Sequence, residues 1–329
     1  MTSRSSVPRP RLAILGPQQP RPNAPDAVAE VAPGSGPIVV LTAGWRGEET
    51  DDQTLRRYLG PDAAVLPLYT WFDVVMREVP ALREEYRARQ DALVDLRRLH
   101  RMRLNPALDA LGQLTAEGKR TAEVDESLRF ATEDVQRIDQ QLLDGSTRVY
   151  AAHPRASAPW TEHPVVARLR ERAVEALREA RAVVLTGGHV AVLLNRLQFF
   201  GVDRALTELA AEGKPIVAWS AGAMVLTDRI VLFYDDPPDG PTYPELLDRG
   251  FGLVRSVVAL PHARQRLRLD DRVRVSSLAS RFAPATCVGL ENGAWLVRSG
   301  DRWRNRGAPG SALELRPDGA VVDLDGEAR

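Results

Sequence analysis

The sequence predicts an α/β fold, a mostly parallel doubly wound sheet with helices on both faces, and three observations carry that expectation. Short, β-branched apolar runs recur along the chain, as in residues 37–42 (PIVVLT), Ala182–Leu185 and Ile216–Trp219. Continuous runs of this kind mark strands covered on both faces of a parallel sheet. Between residues 164 and 224 strand and helix patterns alternate, which calls for crossover connections and helices on both sides. Two loops of small residues, Thr186-Gly187-Gly188 and Ser220-Ala221-Gly222-Ala223, fall just past strand ends, where such sheets gather their reactive groups.

Taken in order, residues 1–10 are Ser, Arg and Pro without periodicity and read as a loose tail. Residues 11–16 (RLAILG) form a first strand stopped by Pro17, and a short helix near residues 26–31 ends at the breaker cluster Pro33-Gly34-Ser35-Gly36. The strand at 37–42 comes next, then acidic residues Glu48, Glu49, Asp51 and Asp52 suited to a first helical turn. Residues 63–68 are expected to be a further strand. From about 71 to 145 the texture becomes helical: 80–104 carries Leu93, Leu96 and Leu104 at helical spacing, a break is expected near Asn105-Pro106, and 124–143 carries Leu128, Val135, Ile138 and Leu142 on one stripe. This reads as a helical hairpin standing on the sheet domain, an amphipathic packing element first and a partner-binding or homo-oligomerising arm second. Its basic run Arg97, Arg98, His100, Arg101 and Arg103 reads as a solvated face. Residues 164–181 form a helix with Pro164 at its start, Val190–Phe199 and 202–212 two more, and Gly213 the stop signal of the last. The expected organisation is thus a tail at 1–10, one α/β domain from 11–75 and 146–329, and a helical insertion at 76–145.

Composition narrows the function. The chain has 329 residues with 44 basic and 44 acidic side chains, so a dedicated nucleic-acid binder, which needs excess positive charge, is not expected. No window approaches 18 uninterrupted apolar residues, and residues 1–11 lack an apolar signal core, so a membrane role is not expected and a cytoplasmic location is. Cys287 is the only cysteine, which excludes disulfide scaffolds and zinc knuckles.

The chemistry gathers at residues 216–224, IVAWSAGAM. A serine reached straight from a buried strand, with small residues and a helix after it, fits a nucleophile elbow, whose sharp turn lifts the hydroxyl above the sheet. The competing reading is a plain helix N-cap. A nucleophilic serine needs a base oriented by a carboxylate. Of the five histidines, His100 lies on the arm, His153 and His163 precede a crossover helix, and His189 follows the double glycine. His262 follows the apolar run 257–261 at the carboxyl edge of the sheet and is the natural base. Asp235 and Asp236 stand between serine and histidine in the chain, and either can orient the imidazole.

Three blocks resemble peptidase family S51, that of aspartyl dipeptidase (peptidase E) and cyanophycinase, within the class I glutamine amidotransferase-like superfamily. They are LTGGHVAVLLNRL with its glycine loop, WSAGAM with its serine, and GFGLVRSVVALPHARQRLR with a histidine followed by arginines four and six residues on. The resemblance implies Ser220 as nucleophile, His262 as general base, and Asp235 as orienting acid with Asp236 the alternative. It further implies an oxyanion hole from the N–H groups of Gly188 and Ala221, each such donor contributing on the order of 3 kcal/mol. Gly187, His189, Trp219, Arg266, Arg268 and Glu291 are the candidate substrate-binding residues, with Glu291 better explained by a structural turn than by a site. His189 and Val190 stand where the family usually has an amide or carboxylate, and Trp219 where it has a smaller residue.

The resemblance thus implies an S51-like serine hydrolase cleaving a peptide or isopeptide bond through an acyl-enzyme, with no metal or organic cofactor expected, acting on an aspartyl dipeptide or a cyanophycin-like substrate. The alternative is a catalytically silent S51-like binding or scaffold protein using the helical arm for partner contacts. A glutamine amidotransferase is disfavoured because its chemistry needs a cysteine where Ser220 stands.

Overall fold

The computed structural model describes residues 11–153, 163–234, 243–299 and 302–324. The expectations for residues 1–10 and for Asp235 and Asp236 lie outside them. Strands β1 (Leu12–Leu15), β2 (Ile38–Leu41), β3 (Ala63–Val65), β4 (Ala182–Leu185) and β5 (Ile216–Trp219) form the parallel part of a seven-stranded sheet. With β10 (Trp295–Ser299) and β11 (Arg302–Asn305) added antiparallel at one edge, its order is β11-β10-β1-β5-β4-β2-β3.

Strand geometry decides which residues meet. Successive side chains point to opposite faces, and the core divides accordingly. Leu12, Ile14, Val39, Leu41, Val183, Leu185, Ile216 and Ala218 join the larger apolar cluster, together with helices α3 (Leu68–Glu78), α6 (Pro164–Glu179), α7 (Val190–Phe199) and α8 (Val202–Ala211). Their neighbours Ala13, Leu15, Ile38, Val40, Ala182, Val184, Val217 and Trp219 join a second cluster, with α1 (Ala24–Val31) and α2 (Asp52–Leu59). Both faces are covered, as the unbroken apolar runs require.

Four features depart from the sequence expectations. A second sheet, β13-β12-β9-β8, stands beside the first; β8 is Val257–Pro261, β9 Thr286–Leu290, β12 Ala312–Leu315 and β13 Val321–Asp323. Residues 63–68 are not one strand: β3 ends at Val65 and α3 begins at Leu68. The reason is a cap supplied from far away, since the buried Glu49 carboxylate accepts the N–H groups of Tyr69 and Thr70, each at 2.8 Å, and Pro67 has no side-chain cap to offer. The expected break at Asn105-Pro106 is absent, and α4 runs from Pro80 to Ala116 through Pro106. Leu104, Leu108 and Leu111 pin that stretch against Val135 and Ile138 of α5 (Ala122–Ala152), and Met102, four residues before the proline that lacks an N–H, is exposed.

The fourth departure concerns the basic run, which is not simply a solvated face. His100 is buried and its Nε2 lies 3.0 Å from Asp139 of α5. Arg97 donates to the Leu247 carbonyl and Arg101 to Glu245, both on β7 (Glu245–Arg249), the partner of β6 (Arg229–Leu232) in a two-stranded hairpin. Asp139 is gripped by the buried Arg281 of α11 (Arg272–Phe282) at 2.7 and 2.9 Å. Packing and ion pairing together seat the helical hairpin on the α/β core. No helix among the described residues is long and apolar enough to cross a membrane.

Candidate active site

The carboxyl ends of β1, β2, β4 and β5 open into a cleft of about 1000 Å³. Its lining takes Gln18 and Gln19 from beyond β1, Gly44, Trp45 and Arg46 from beyond β2, Gly187, Gly188 and His189 from beyond β4, and Trp219, Ser220 and Ala221 from β5. Pro261, His262 and Arg266 enter from the second sheet, and Phe233, Tyr234, Tyr243 and Glu245 from the β6–β7 hairpin. The sequence-predicted Gly187, Gly188, His189, Trp219, Ser220, Ala221, His262 and Arg266 are therefore neighbours in space.

Ser220 follows β5 at φ 48°, ψ −115°, a backbone conformation that a non-glycine residue adopts only under constraint. Its own N–H donates to Leu15 at 3.2 Å and its carbonyl accepts from Met224 at 3.0 Å, so the turn is held at both ends. The side chain makes no cap hydrogen bond, which removes the plain N-cap reading. Gly222 is required by close approach: a Cβ there would stand 2.4 Å from the Leu185 carbonyl oxygen. Gly188 has φ 107°, and a Cβ on it would meet the Gly44 oxygen at 2.5 Å. The N–H groups of Gly188 and Ala221 have no acceptor among the described residues, whereas the neighbouring His189 N–H donates to Gly44 at 2.8 Å.

His262 follows β8 in the left-handed region at φ 60°, ψ 37°. Two bonds to the end of β9 fix it: its N–H donates to the Leu290 carbonyl at 2.9 Å, and the Arg264 N–H donates to the Glu291 carboxylate at 2.7 Å. Burial, then the nearby Arg266 cation, holds the His262 imidazole below its ordinary pKa, so it is unprotonated and ready to accept a proton near neutrality. No hydrogen bond joins its ring to Ser220 among the described residues; in the absence of substrate such geometry is often loose.

Other candidates have different roles. Glu291 does not line the cleft and serves to brace the turn after His262. Arg268 lines a separate cavity of about 100 Å³ between α4 and α11, so it is not a companion of Arg266. His189 uses Nδ1 to cap α7, accepting from Val192 at 3.3 Å, and its imidazole is held low by burial and by Arg46. Cys287 is fully buried on β9 with its thiol pushed up to about 12, away from the cleft. Among the described residues no group of three or more His, Cys, Asp or Glu is arranged to hold a metal ion.

Sequence reasoning missed part of the wall. Trp45, Tyr58, Phe233, Tyr234 and Tyr243 join Trp219 to give the cleft an aromatic lining, and Arg46 adds a guanidinium. Arg266 lies 4.8 Å from the Tyr234 ring centroid and 5.8 Å from that of Phe233. The one available signal was position: Ala43-Gly44-Trp45-Arg46 directly follows a buried strand, just as the glycine and serine loops do.

Residues 158–306 match the model of peptidase family S51. Among solved structures the chain is similar to a peptidase from an acI-B1 Actinobacterium, at 16% identity over 95% of this chain and 96% of that one, with a TM-score of 0.46. It is also similar to a peptidase E protein of Listeria monocytogenes EGD-e, at 19% identity over 42% of this chain and 65% of that one, with a TM-score of 0.32. No curated protein matches. The segment matched by that family model, residues 158–306, contains the glycine loop, Ser220 and His262.

Proposed function

We propose that the chain is a serine peptidase or isopeptidase acting through an acyl-enzyme. The observation that carries this reading is Ser220 itself, held at φ 48°, ψ −115° on a strand-to-helix turn, the geometry expected of a nucleophile elbow. Ser220 Oγ attacks the scissile carbonyl while His262 takes its proton. The oxyanion that forms is met by the N–H groups of Gly188 and Ala221, whose lack of other acceptors supports this role. Collapse expels the amine, which leaves with the proton returned by His262. Water, deprotonated by the same imidazole, then releases the acid and regenerates the serine. Asp235, 15 residues after Ser220, is assigned to orient His262, with Asp236 the alternative.

The cleft favours an acidic substrate, because Arg266 lines it without a carboxylate partner among the described residues. Aspartyl dipeptides and cyanophycin-like chains are the substrates that the family resemblance suggests. The reading of the hairpin as a partner-binding arm gains less support, since Arg97, His100 and Arg101 are engaged with the protein's own core.

The test is covalent labelling by a fluorophosphonate probe. Wild type is expected to be labelled and Ser220→Ala not; absent labelling, or labelling that persists in Ser220→Ala, refutes the serine mechanism. In an assay of turnover, Asp235→Asn should depress kcat far more than Asp236→Asn, and the reverse order would transfer the role.

A further inference from the structure

Four residues other than glycine have positive φ among the described residues: Arg46, Ser220, Ser256 and His262. Three of the four line the cleft. Arg46, at φ 59° and ψ −123°, repeats almost the same conformation as Ser220 at φ 48° and ψ −115°. Such conformations cost free energy for a side chain larger than hydrogen and persist only where the surroundings enforce them.

The enforcement around Arg46 is explicit. Its carbonyl accepts the Glu49 N–H at 3.0 Å, and the Glu49 carbonyl accepts the buried Thr42 hydroxyl at 2.8 Å. The Glu49 side chain, 1% exposed, is tied to the start of α3 through Tyr69 and Thr70. Across the turn, Gly44 accepts the His189 N–H. A rigid frame thus presents a solvent-exposed arginine at the rim of the cleft, and its guanidinium has no carboxylate partner among the described residues.

Topology separates this guanidinium from Arg266. Arg46 follows β2, two strands along the sheet from the β5 strand that delivers Ser220, whereas Arg266 follows β8 of the second sheet. The cleft's one described carboxylate, Glu245, is already engaged by Arg101. We propose that Arg46 is a specificity-determining residue, the second of two anion-binding prongs: of the two carboxylates that flank the scissile bond in the aspartyl dipeptides suggested above, Arg266 reads one and Arg46 the other, with the bond over Ser220. The placement of the scissile bond rests on Ser220 as the nucleophile; the two prongs rest on the cleft's two guanidinium groups without carboxylate partners.

The test separates the two. In the Ser220→Ala protein, which cannot turn over, binding is measured by calorimetry for Asp-Ala, a dipeptide with a carboxylate on each side of its peptide bond, and for Asn-Ala and Asp-Ala amide, each of which keeps only one of the two carboxylates. Asp-Ala is expected to bind more tightly than either analogue. Adding Arg46→Gln should weaken Asp-Ala by about tenfold or more and spare one of the analogues, while adding Arg266→Gln spares the other. The proposal is overturned if Asp-Ala binds no better than its analogues, if Arg46→Gln leaves it unchanged, or if both variants weaken the same analogue. A second readout guards against a purely structural role: Arg46→Gly relieves the backbone and is expected to unfold at higher temperature while losing the preference for Asp-Ala. Falling stability in that variant counts against the proposal. Fluorophosphonate labelling is scored apart, so that two-pronged binding without labelling removes the nucleophile alone, and labelling without two-pronged binding removes the clamp alone.

Discussion

The cleft and the seam beneath the helical hairpin draw on the same kinds of side chain, arginine, histidine, tyrosine and a few carboxylates, and use them in opposite ways. In the seam, Arg281, Asp139 and His100 are buried and joined at 2.7 to 3.0 Å. Tyr150 donates to Asp248, and Arg97 reaches the same carboxylate. In the cleft, Arg46 and Arg266 stand without carboxylate partners among the described residues, and Ser220, His262 and Arg46 hold strained backbone. Charge that is paired and buried holds elements in register. Charge left unpaired over a strained loop has, in the binding site proposed above, the substrate as its partner.

The largest effect should come from breaking the seam. Asp139→Ala removes the acceptor of both Arg281 and His100 and is expected to cost about 3–5 kcal/mol, read as a fall in the midpoint of chemical unfolding. The loss should itself depend on pH. Burial pushes the Asp139 carboxyl up, but Arg281 and His100 outweigh it and leave the pKa below its ordinary value. A depressed carboxylate stabilises the fold at pH values above its unfolded pKa and ceases to as pH falls through the folded one. Wild type and Asp139→Ala should therefore converge in stability in strong acid. A midpoint that does not move at neutral pH would mean the seam is not a structural clamp.

Removing the Arg266 guanidinium from the cleft should leave stability alone and move chemistry instead. Burial and Arg266 both disfavour the His262 imidazolium, so the acid limb of kcat/KM is expected below the ordinary histidine range. In Arg266→Gln only burial remains. The limb should shift to higher pH, with activity lost first on the acid side. An unmoved limb would show that Arg266 does not face the base.

The smallest effect sharpens the comparison at its boundary. Arg101 and Glu245 pair at 3.1 Å with side chains 44% and 41% exposed, and Glu245 also borders the cleft. Arg101→Ala is expected to change stability by less than about 1 kcal/mol, because water screens such pairs. A larger loss would extend the seam into the cleft wall.

How much of the molecule is legible in its sequence depends on the range of the interaction concerned. Strands β4 and β5 and helix α7 read correctly from local pattern because they are short, fully buried and punctuated by glycine or proline. That the glycine loop, Ser220 and His262 share one cleft is legible for a related reason: each directly follows a strand, and strand ends are local. The start of α3 is not, since its cap is Glu49, some twenty residues earlier in the chain. The uninterrupted α4 is hidden by Pro106, whose local penalty is overridden by packing against α5. Arg268 shows the same limit from the other side. Two residues beyond Arg266, it lines a different cavity, because a short helix and the turn after it send the two arginines apart.

By itself, the sequence determined the layered α/β architecture and the residue types at the strand ends, because apolar periodicity and backbone sterics act over a few residues. Only the tertiary structure decided which charges are paired and which are left open. Whether a guanidinium meets a carboxylate depends on elements far apart in the chain, as with Arg281 and Asp139, 142 residues apart yet 2.7 Å from one another. The same folding sets Arg46 and Arg266 beside one serine from two different sheets.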